Sequence, residues 1–144
     1  MTAAKTMAFE TIDRTCVVVH TADPPSQEEW DAFVEEVKRL LERVGAERAR
    51  NLVFTKGGGP SFSQRQKVNE VLKGRTPPAA VVTSNAFVRG IVAALAVFNP
   101  KIKTFRPEAM DDALHYLGLT HAESKAVWRT LEKLQGQLSI KNVG

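Results

Sequence analysis

The sequence predicts an α/β fold, a five-stranded mixed, mostly parallel sheet with helices packed against it and one extra C-terminal helix. Strand-like and helix-like segments alternate along the 144 residues in the order β-β-α-β-α-β-α-β-α before that last helix. The strands are short β-branched runs, which are typical of buried parallel strands. The length suits one domain, and 43% hydrophobic with 25% charged residues is ordinary for a globular chain.

An antiparallel hairpin is predicted at the start of the domain. Phe9 and Thr11 alternate with Glu10, and residues 16–20, Cys-Val-Val-Val-His, form a β-branched run. Asp13 and Arg14 suit the tight turn between them. Because the next connections are long enough to be crossovers, the hairpin adds one antiparallel strand to an otherwise parallel sheet.

The first helix is marked at both of its ends. Ser26 is a good N-cap and Glu29 follows three residues later, which is the capping-box pattern. Gly45 comes directly after the last apolar position and ends the helix. Positions at spacings of three and four form its buried stripe, namely Trp30, Phe33, Val34, Val37, Leu40, Leu41 and Val44.

Two buried strands and two helices are predicted for the middle of the chain. Residues 51–55 and 79–83 are the strands, and a glycine-rich loop over 56–61 leads from the first strand into a helix over about 63–73. The next helix, 86–98, is apolar on nearly every face. We expect it to pack between the sheet and the C-terminal helices, with a dimer or partner contact as the second interpretation.

The last strand, 102–105, is followed by two helices. Pro107 opens the first of them, because proline suits the initial turn of a helix. Thr120, with Glu123 three residues later, marks the start of the second. The apolar periodicity of this last helix ends at Gly136.

Composition and sequence pattern indicate where in the cell the protein is expected and where its domain begins and ends. No apolar run approaches the roughly 20 residues of a membrane span, so no membrane span is expected. The start of the chain has no apolar core of a signal peptide. Cys16 is the single cysteine, which excludes an internal disulfide and favours a reducing, cytoplasmic location. We predict a flexible N-terminus over 1–7, a single domain over 8–135 and a frayed tail over 136–144.

The order of these segments resembles the STAS domain, which occurs in anti-sigma factor antagonists and in the cytoplasmic tails of sulfate transporters. More narrowly, the chain resembles bacterial STAS-like proteins grouped with the CRAL-TRIO lipid-binding fold. The resemblance covers roughly residues 8–118. It rests on the strands and loop at 52–55, 57–61 and 80–84, on the segment 88–92, and on the helix stop at 98–100. It implies a STAS-like fold and a non-enzymatic module that binds a protein partner.

The resemblance also implies a place for regulated phosphorylation. In anti-sigma factor antagonists, a serine that becomes phosphorylated lies at the start of the second helix. The matching segment here reads Gly-Gly-Gly-Pro-Ser-Phe-Ser instead of the family's Asp-Ser-Ser-Gly, and its candidates are Ser61 and Ser63. A phosphate at either serine adds about −1.5 to −2 charges beside a helix N-terminus.

The same region has the residue types of an anion- or partner-binding site. Glycines before a helix can turn backbone N–H groups toward an anion, and the carboxyl ends of parallel strands meet at one edge. The alternative, which we favour, is a flexible turn in which glycine tolerates positive φ. The candidate residues are Gly57, Gly58, Gly59, Ser61, Ser63, Arg65, Ser84, Asn85 and Arg89.

No residue pattern indicates catalysis, a metal or a cofactor. His20, His115 and His121 are far apart, with no cysteine or carboxylate at metal-ligand spacing. No Gly-x-Ser-x-Gly elbow is present, and Cys16 reads as a small buried hydrophobe. A transferase or hydrolase acting at the glycine loop is the enzymatic alternative. The net charge of +4 comes from basic residues that look scattered, so we expect no nucleic-acid partner.

Two functions stay open at this point. The first is a cytoplasmic STAS-like module that binds a protein partner, as a monomer or homodimer, and is switched at Ser61 or Ser63. The second is a carrier of a small apolar molecule or lipid, which would use an apolar pocket beside the predicted helix from Phe87 to Phe98.

Overall fold

The computed structural model describes residues 5–97 and 99–138. The strands are β1 (Met7–Ile12), β2 (Thr15–His20), β3 (Arg50–Thr55), β4 (Ala79–Val82) and β5 (Ile102–Phe105). The helices are α1 (Gln27–Val44), α2 (Phe62–Leu72), α3 (Ala86–Leu95), α4 (Met110–Tyr116) and α5 (His121–Gln137), with a 3-10 turn at Pro107–Ala109 before α4. The predicted element order is confirmed.

The five strands form one sheet in chain order. β1 runs antiparallel to β2, with Met7 opposite His20, and the other three pairings are parallel. In the centre of the sheet Val18 lies opposite Val53, which in turn lies opposite Val81. This is the mixed, mostly parallel sheet that the sequence predicts.

Each face of the sheet has its own apolar core. Because β2 to β5 lie in chain order and parallel crossovers are right-handed, α1, α2 and α3 cross on the same face. The core under α1 is formed by Met7, Cys16, Val18, Trp30, Phe33, Val34, Leu40 and Ala49. The opposite core, under α4 and α5, includes Val17, Val19, Leu52, Phe54, Ala80, Val82, Met110, Ala113, Leu114, Leu117, Val127, Leu131 and Leu134.

The position of α3 corrects one expectation. We expected this helix to pack between the sheet and the C-terminal helices, but α4 and α5 cover the opposite face and cannot reach it. Val92 is its buried residue, whereas Phe87 is 75% exposed. The helix ends at Leu95 rather than at Phe98, which lies outside the described residues.

The ends of the chain also differ from the predicted limits. β1 begins at Met7, which is buried and belongs to the stretch that was predicted to be flexible. α5 continues through Gln137, beyond the glycine at which its apolar periodicity ends. Residues 1–4 and 139–144 of the predicted flexible ends lie outside the described residues. Among the described helices, none is long and apolar enough to cross a membrane.

An ion pair joins the β1–β2 turn to the start of α5. Arg14 Nε donates to Glu123 Oε2 at 2.7 Å and Arg14 Nη2 donates to Glu123 Oε1 at 3.1 Å. The same guanidinium donates to the carbonyl oxygens of Arg48 and Gly118, each at 3.1 Å. Burial would raise the pKa of Glu123, but the hydrogen bond from Arg14 outweighs it and lowers that pKa to about 2.

Candidate functional site

Three buried polar residues lie in a row where the parallel strands end. His20 is the last residue of β2, Thr55 is the last of β3, and Thr83 follows β4. His20 lies opposite Thr55 in the parallel register, and both point to the α1 face because side chains alternate along a strand. All three are nearly inaccessible to solvent. A buried polar layer therefore supports the carboxyl edge of the sheet.

Hydrogen bonds from this layer fix the loop that follows β3. Thr83 Oγ1 donates to the carbonyl oxygen of Thr55 at 2.7 Å. Thr55 Oγ1 donates to the carbonyl oxygen of Gly58 at 2.6 Å and accepts from the N–H of Gly57 at 3.0 Å. The N–H of Gly58 donates to the carbonyl oxygen of Thr21 at 2.9 Å. The glycine loop is thus held to two strands and to the β2–α1 connection.

The first two glycines of the loop are there for steric reasons. Gly57 has φ +136°, a conformation that favours glycine. A Cβ on Gly58 would lie 2.2 Å from the carbonyl oxygen of Asp23 and 2.5 Å from that of Thr21. The N–H groups of Gly57 and Gly58 donate within the protein, so they form no anion cradle. Gly57 thus has the positive φ that was expected of a flexible turn, but hydrogen bonds fix the loop, and Gly58 is required by the nearby carbonyl oxygens instead.

The start of α2 is fixed against α1 by Gln64. Trp30 Nε1 donates to the carbonyl oxygen of Gln64 at 2.7 Å, and Gln64 Nε2 donates to the carbonyl oxygen of Pro25 at 3.2 Å. Ser61 and Gln64 form a capping box, in which each side chain accepts from the other's backbone N–H. This box was not among the predicted caps, although Ser-x-x-Gln is the signal for it.

The glycine loop also contacts the start of α3. A Cβ on Gly57 would lie 2.9 Å from Asn85 Nδ2, so a side chain there would have to displace the Asn85 amide. Asn85 Oδ1 caps α3 by accepting from the N–H of Val88 at 3.1 Å, and Arg89 Nη1 donates to the carbonyl oxygen of Ser84 at 3.2 Å. The starts of α2 and α3 therefore lie at one edge of the sheet.

Exposed aromatic and half-buried basic side chains lie together at this edge. We call Phe62 and Arg65, in the first turn of α2, together with Phe87 and Arg89, in the first turn of α3, the Phe–Arg edge. Phe62 is 68% exposed and Phe87 is 75% exposed. Both arginines are half-buried, and neither forms an ion pair with a described residue. Exposed rings beside unpaired guanidinium groups are suited to contact with a partner.

The predicted site residues take different roles at this edge. Ser61 caps α2 with its side chain, whereas Ser63 is exposed with its Oγ 3.3 Å from Ser61 Oγ. Nothing lies within 4 Å of the Cβ position of Gly59, and Ser84 is exposed. The structure thus places all nine candidate residues at the carboxyl edge. Phe62 was missed, because an apolar residue next to a cap usually signals packing rather than exposure. Phe87 was expected to lie in a packed helix, for which a dimer or partner contact was the second interpretation.

Beneath the edge, burial and hydrogen bonds shift two ionisable groups. Burial lowers the pKa of His20 to about 4, against a smaller opposite effect of Glu29. His20 Nδ1 is buried and has no hydrogen-bond partner among the described residues. Burial would raise the pKa of Glu29, but hydrogen bonds from Thr6, Met7 and Ser26 lower it to about 2. His20 is therefore neutral and Glu29 charged at neutral pH.

Positive charge is concentrated in the part of the chain that builds the Phe–Arg edge. Residues 56–106 contain nine lysines and arginines and one acidic residue, Glu70. This segment includes α2, β4, α3 and β5, and its two strands form the β5 end of the five-stranded sheet. Along the sequence, the basic residues of this segment are therefore in clear excess over the acidic ones. Counting charges within a 50-residue window of the sequence would have revealed the cluster.

Two shallow grooves in the described part of the protein lie away from α3. One, of about 370 Å³, lies between α4 and α5 and includes His115, His121 and Trp128. The other, of about 470 Å³, lies beside the β1–β2 turn and α1 and includes Glu36 and Arg43. Within residues 5–97 and 99–138, no three histidine, cysteine or acidic side chains lie together as metal ligands would.

Neither a protein-family model nor a curated protein sequence matches the chain. Among solved structures, the chain is similar to the crystal structure of an uncharacterized protein of the DUF3478 family, with a SpoIIAA-like fold, from Shewanella loihica PV-4. The two share 14% sequence identity over 81% of this chain and 98% of that one, with a TM-score of 0.59. The chain therefore has the SpoIIAA-like, or STAS-like, fold, and the expected resemblance of fold is confirmed.

Proposed function

We propose that the chain is a non-enzymatic, cytoplasmic regulatory module that binds a protein partner through the Phe–Arg edge. The observation that supports this most is that the exposed rings of the Phe–Arg edge stand on a loop that hydrogen bonds hold in place. The loop below the edge is fixed by the hydrogen bonds of Thr55 Oγ1 with Gly57 and Gly58, and by the bond from the N–H of Gly58 to the carbonyl oxygen of Thr21. The rings of Phe62 and Phe87 remain largely in solvent. Such preorganisation lowers the entropic cost of binding.

Binding without catalysis suits the chemistry of the edge. A serine nucleophile needs a base within hydrogen-bond reach. Ser61 Oγ accepts from the N–H of Gln64, and its other near neighbour is Ser63 Oγ. His20 is buried beneath the loop. No described histidine or carboxylate forms a hydrogen bond with either serine, which favours a binding surface over a catalytic one.

Phosphorylation of Ser63 is the proposed switch. Ser63 is exposed in the first turn of α2, two residues before Arg65, and its N–H donates to no described group. A phosphate there would meet the positive end of the helix and change the charge of the Phe–Arg edge. Ser61 is the poorer candidate because its hydroxyl already caps the helix.

The test of the proposed function is capture of a partner from the cells in which the chain occurs. Tagged wild-type chain would be compared with the double variant Phe62→Ser and Phe87→Ser, with the mimic Ser63→Glu, and with Ser124→Glu as a control on α5. We expect a stoichiometric partner with the wild type and the control, loss with the phenylalanine variant, and altered recovery with the mimic. Equal recovery by all four proteins would contradict the proposal.

The carrier of a small apolar molecule has less support. Both described grooves lie away from α3, where a carried ligand would need an enclosed pocket. Native mass spectrometry of the purified chain decides between the two functions. A bound apolar ligand that is lost in a Phe87→Ser variant would favour the carrier over the regulatory module.

A further inference from the structure

We infer that the partner presents an acidic surface with apolar recesses that receive Phe62 and Phe87. This inference rests on the proposed function and specifies the chemistry of the partner. It draws on two features of the Phe–Arg edge that are independent of each other, namely its charge and its exposed apolar area.

The positive charge of the Phe–Arg edge favours an acidic partner. Arg65 and Arg89 form no ion pair with a described residue, and Glu70 is the single acidic residue between positions 56 and 106. Of the basic residues in that segment, Lys67 does form an ion pair, with Asp31 of α1. The exposed Asp23 of the β2–α1 connection also lies at this edge, against Gly58, so the charge there is an excess of positive over negative rather than of one sign alone. Such an excess attracts the opposite sign and speeds encounter with it. Carboxylates of a partner would pair with the two guanidinium groups in bidentate geometry.

The exposed apolar area of the Phe–Arg edge favours a partner with apolar recesses that would bury it. Phe62 and Phe87 are 68% and 75% exposed, and Ile91, one turn after Phe87, is 38% exposed. Residues four apart lie on the same side of a helix, so Phe87 and Ile91 form one continuous apolar strip. Aromatic rings and arginines are the side chains that contribute most to binding when a partner buries them.

The neighbours of the rings favour a protein over a membrane or a nucleic acid. Ser61, Ser63 and Ser84 are exposed beside the two phenylalanines. A hydrocarbon layer would cover these hydroxyls without offering hydrogen bonds, which is costly. Nucleic-acid bases would stack on the rings, but an aliphatic side chain such as Ile91 gives a base nothing to stack on. A protein surface can supply carboxylates, hydrogen bonds and apolar recesses together.

The test is selection of a phage-displayed library of random peptides on the full-length purified chain. Selected peptides would be measured against the wild type, against Phe62→Ser with Phe87→Ser, and against Arg65→Gln with Arg89→Gln. The matched control is Lys125→Gln with Arg129→Gln, which removes the same charge from exposed positions on α5. Thermal unfolding of each variant would show that it is folded.

We expect selected peptides to be enriched in Asp and Glu around apolar residues. The phenylalanine variant should weaken binding by at least about tenfold. The arginine variant should weaken it by about three- to tenfold, and the α5 control by less than about twofold. Raising the ionic strength from about 0.05 to about 0.5 M should weaken binding to the wild type and have less effect on the arginine variant.

The opposing results separate this inference from the proposed function. Peptides that need Phe62 and Phe87 but carry no excess of acidic residues would overturn the acidic partner and leave the binding module in place. Peptides indifferent to both variants would overturn both. Phenylalanine-dependent binding to vesicles of anionic lipid or to single-stranded DNA, tighter than to any selected peptide, would overturn the protein partner.

Discussion

At the scale of single residues, Gly58 is the position at which the loop tolerates no side chain. Its Cβ would collide with the carbonyl oxygens of Thr21 and Asp23, which are backbone atoms and cannot rotate away. We expect Gly58→Ala to destabilise the protein by about 2–3 kcal/mol, measured by denaturant unfolding. Gly59→Ala is the matched control, because nothing lies within 4 Å of its Cβ position. Equal effects of the two variants would contradict the described loop.

His20 makes the stability of the folded protein depend on pH, and the direction of this dependence follows from its lowered pKa. Its pKa falls from an ordinary value of 6.5 to about 4, so between these values the unfolded chain binds a proton that the folded protein does not. Stability should therefore decrease by about 2 kcal/mol as the pH falls from 6.5 to 4.5. Glu29 and Glu123, with pKa values of about 2, contribute below that window.

The control for this pH dependence is a second histidine. The free energy of unfolding should be measured at several pH values across this window. Its dependence on pH should largely disappear in His20→Gln, whatever the absolute stability of that variant. The exposed His115, changed to Gln, should leave the slope as it is. A wild-type stability that is flat between pH 6.5 and 4.5 would show that His20 is not held neutral.

At the scale of elements, the Arg14–Glu123 pair joins the hairpin to α5. Both side chains are mostly shielded from solvent, and the guanidinium is also held by two carbonyl oxygens. Glu123→Gln should cost about 1–3 kcal/mol, because it leaves a shielded arginine without its charged partner. Lys133→Gln breaks the exposed pair with Glu10 and should cost at most about 0.5 kcal/mol. Similar costs for the two would refute this distinction.

Element boundaries were predictable wherever a local signal encodes them. Ser26 and Thr120 begin their helices with the capping boxes read from the sequence, and Gly45 ends α1. The environment of α3 was not predictable in this way. Its apolar composition suggested a buried helix, but the face on which a helix lies depends on the handedness of the crossovers and on the strand order. These are properties of the whole sheet that no local pattern contains.

At the scale of the whole molecule, the position of the candidate site could be predicted from the sequence, but the character of its surface could not. The rule that parallel strands end at one edge brought the glycine loop and the start of α3 together. The exposure of Phe62 and Phe87 could not be read from sequence, since phenylalanine beside a helix cap is usually packed. Nor could the polar layer of His20, Thr55 and Thr83, because its hydrogen bonds join strands that are distant in the chain.

The central claim is that the Phe–Arg edge is the surface through which the protein acts. The most direct measurement is photo-crosslinking in the cells where the chain occurs, with a photoreactive phenylalanine analogue at position 62, 87 or, as a control, 125. We expect discrete crosslinked adducts with one protein at positions 62 and 87 and none at 125. Adducts at 125 alone, or at none of the three positions, would contradict it.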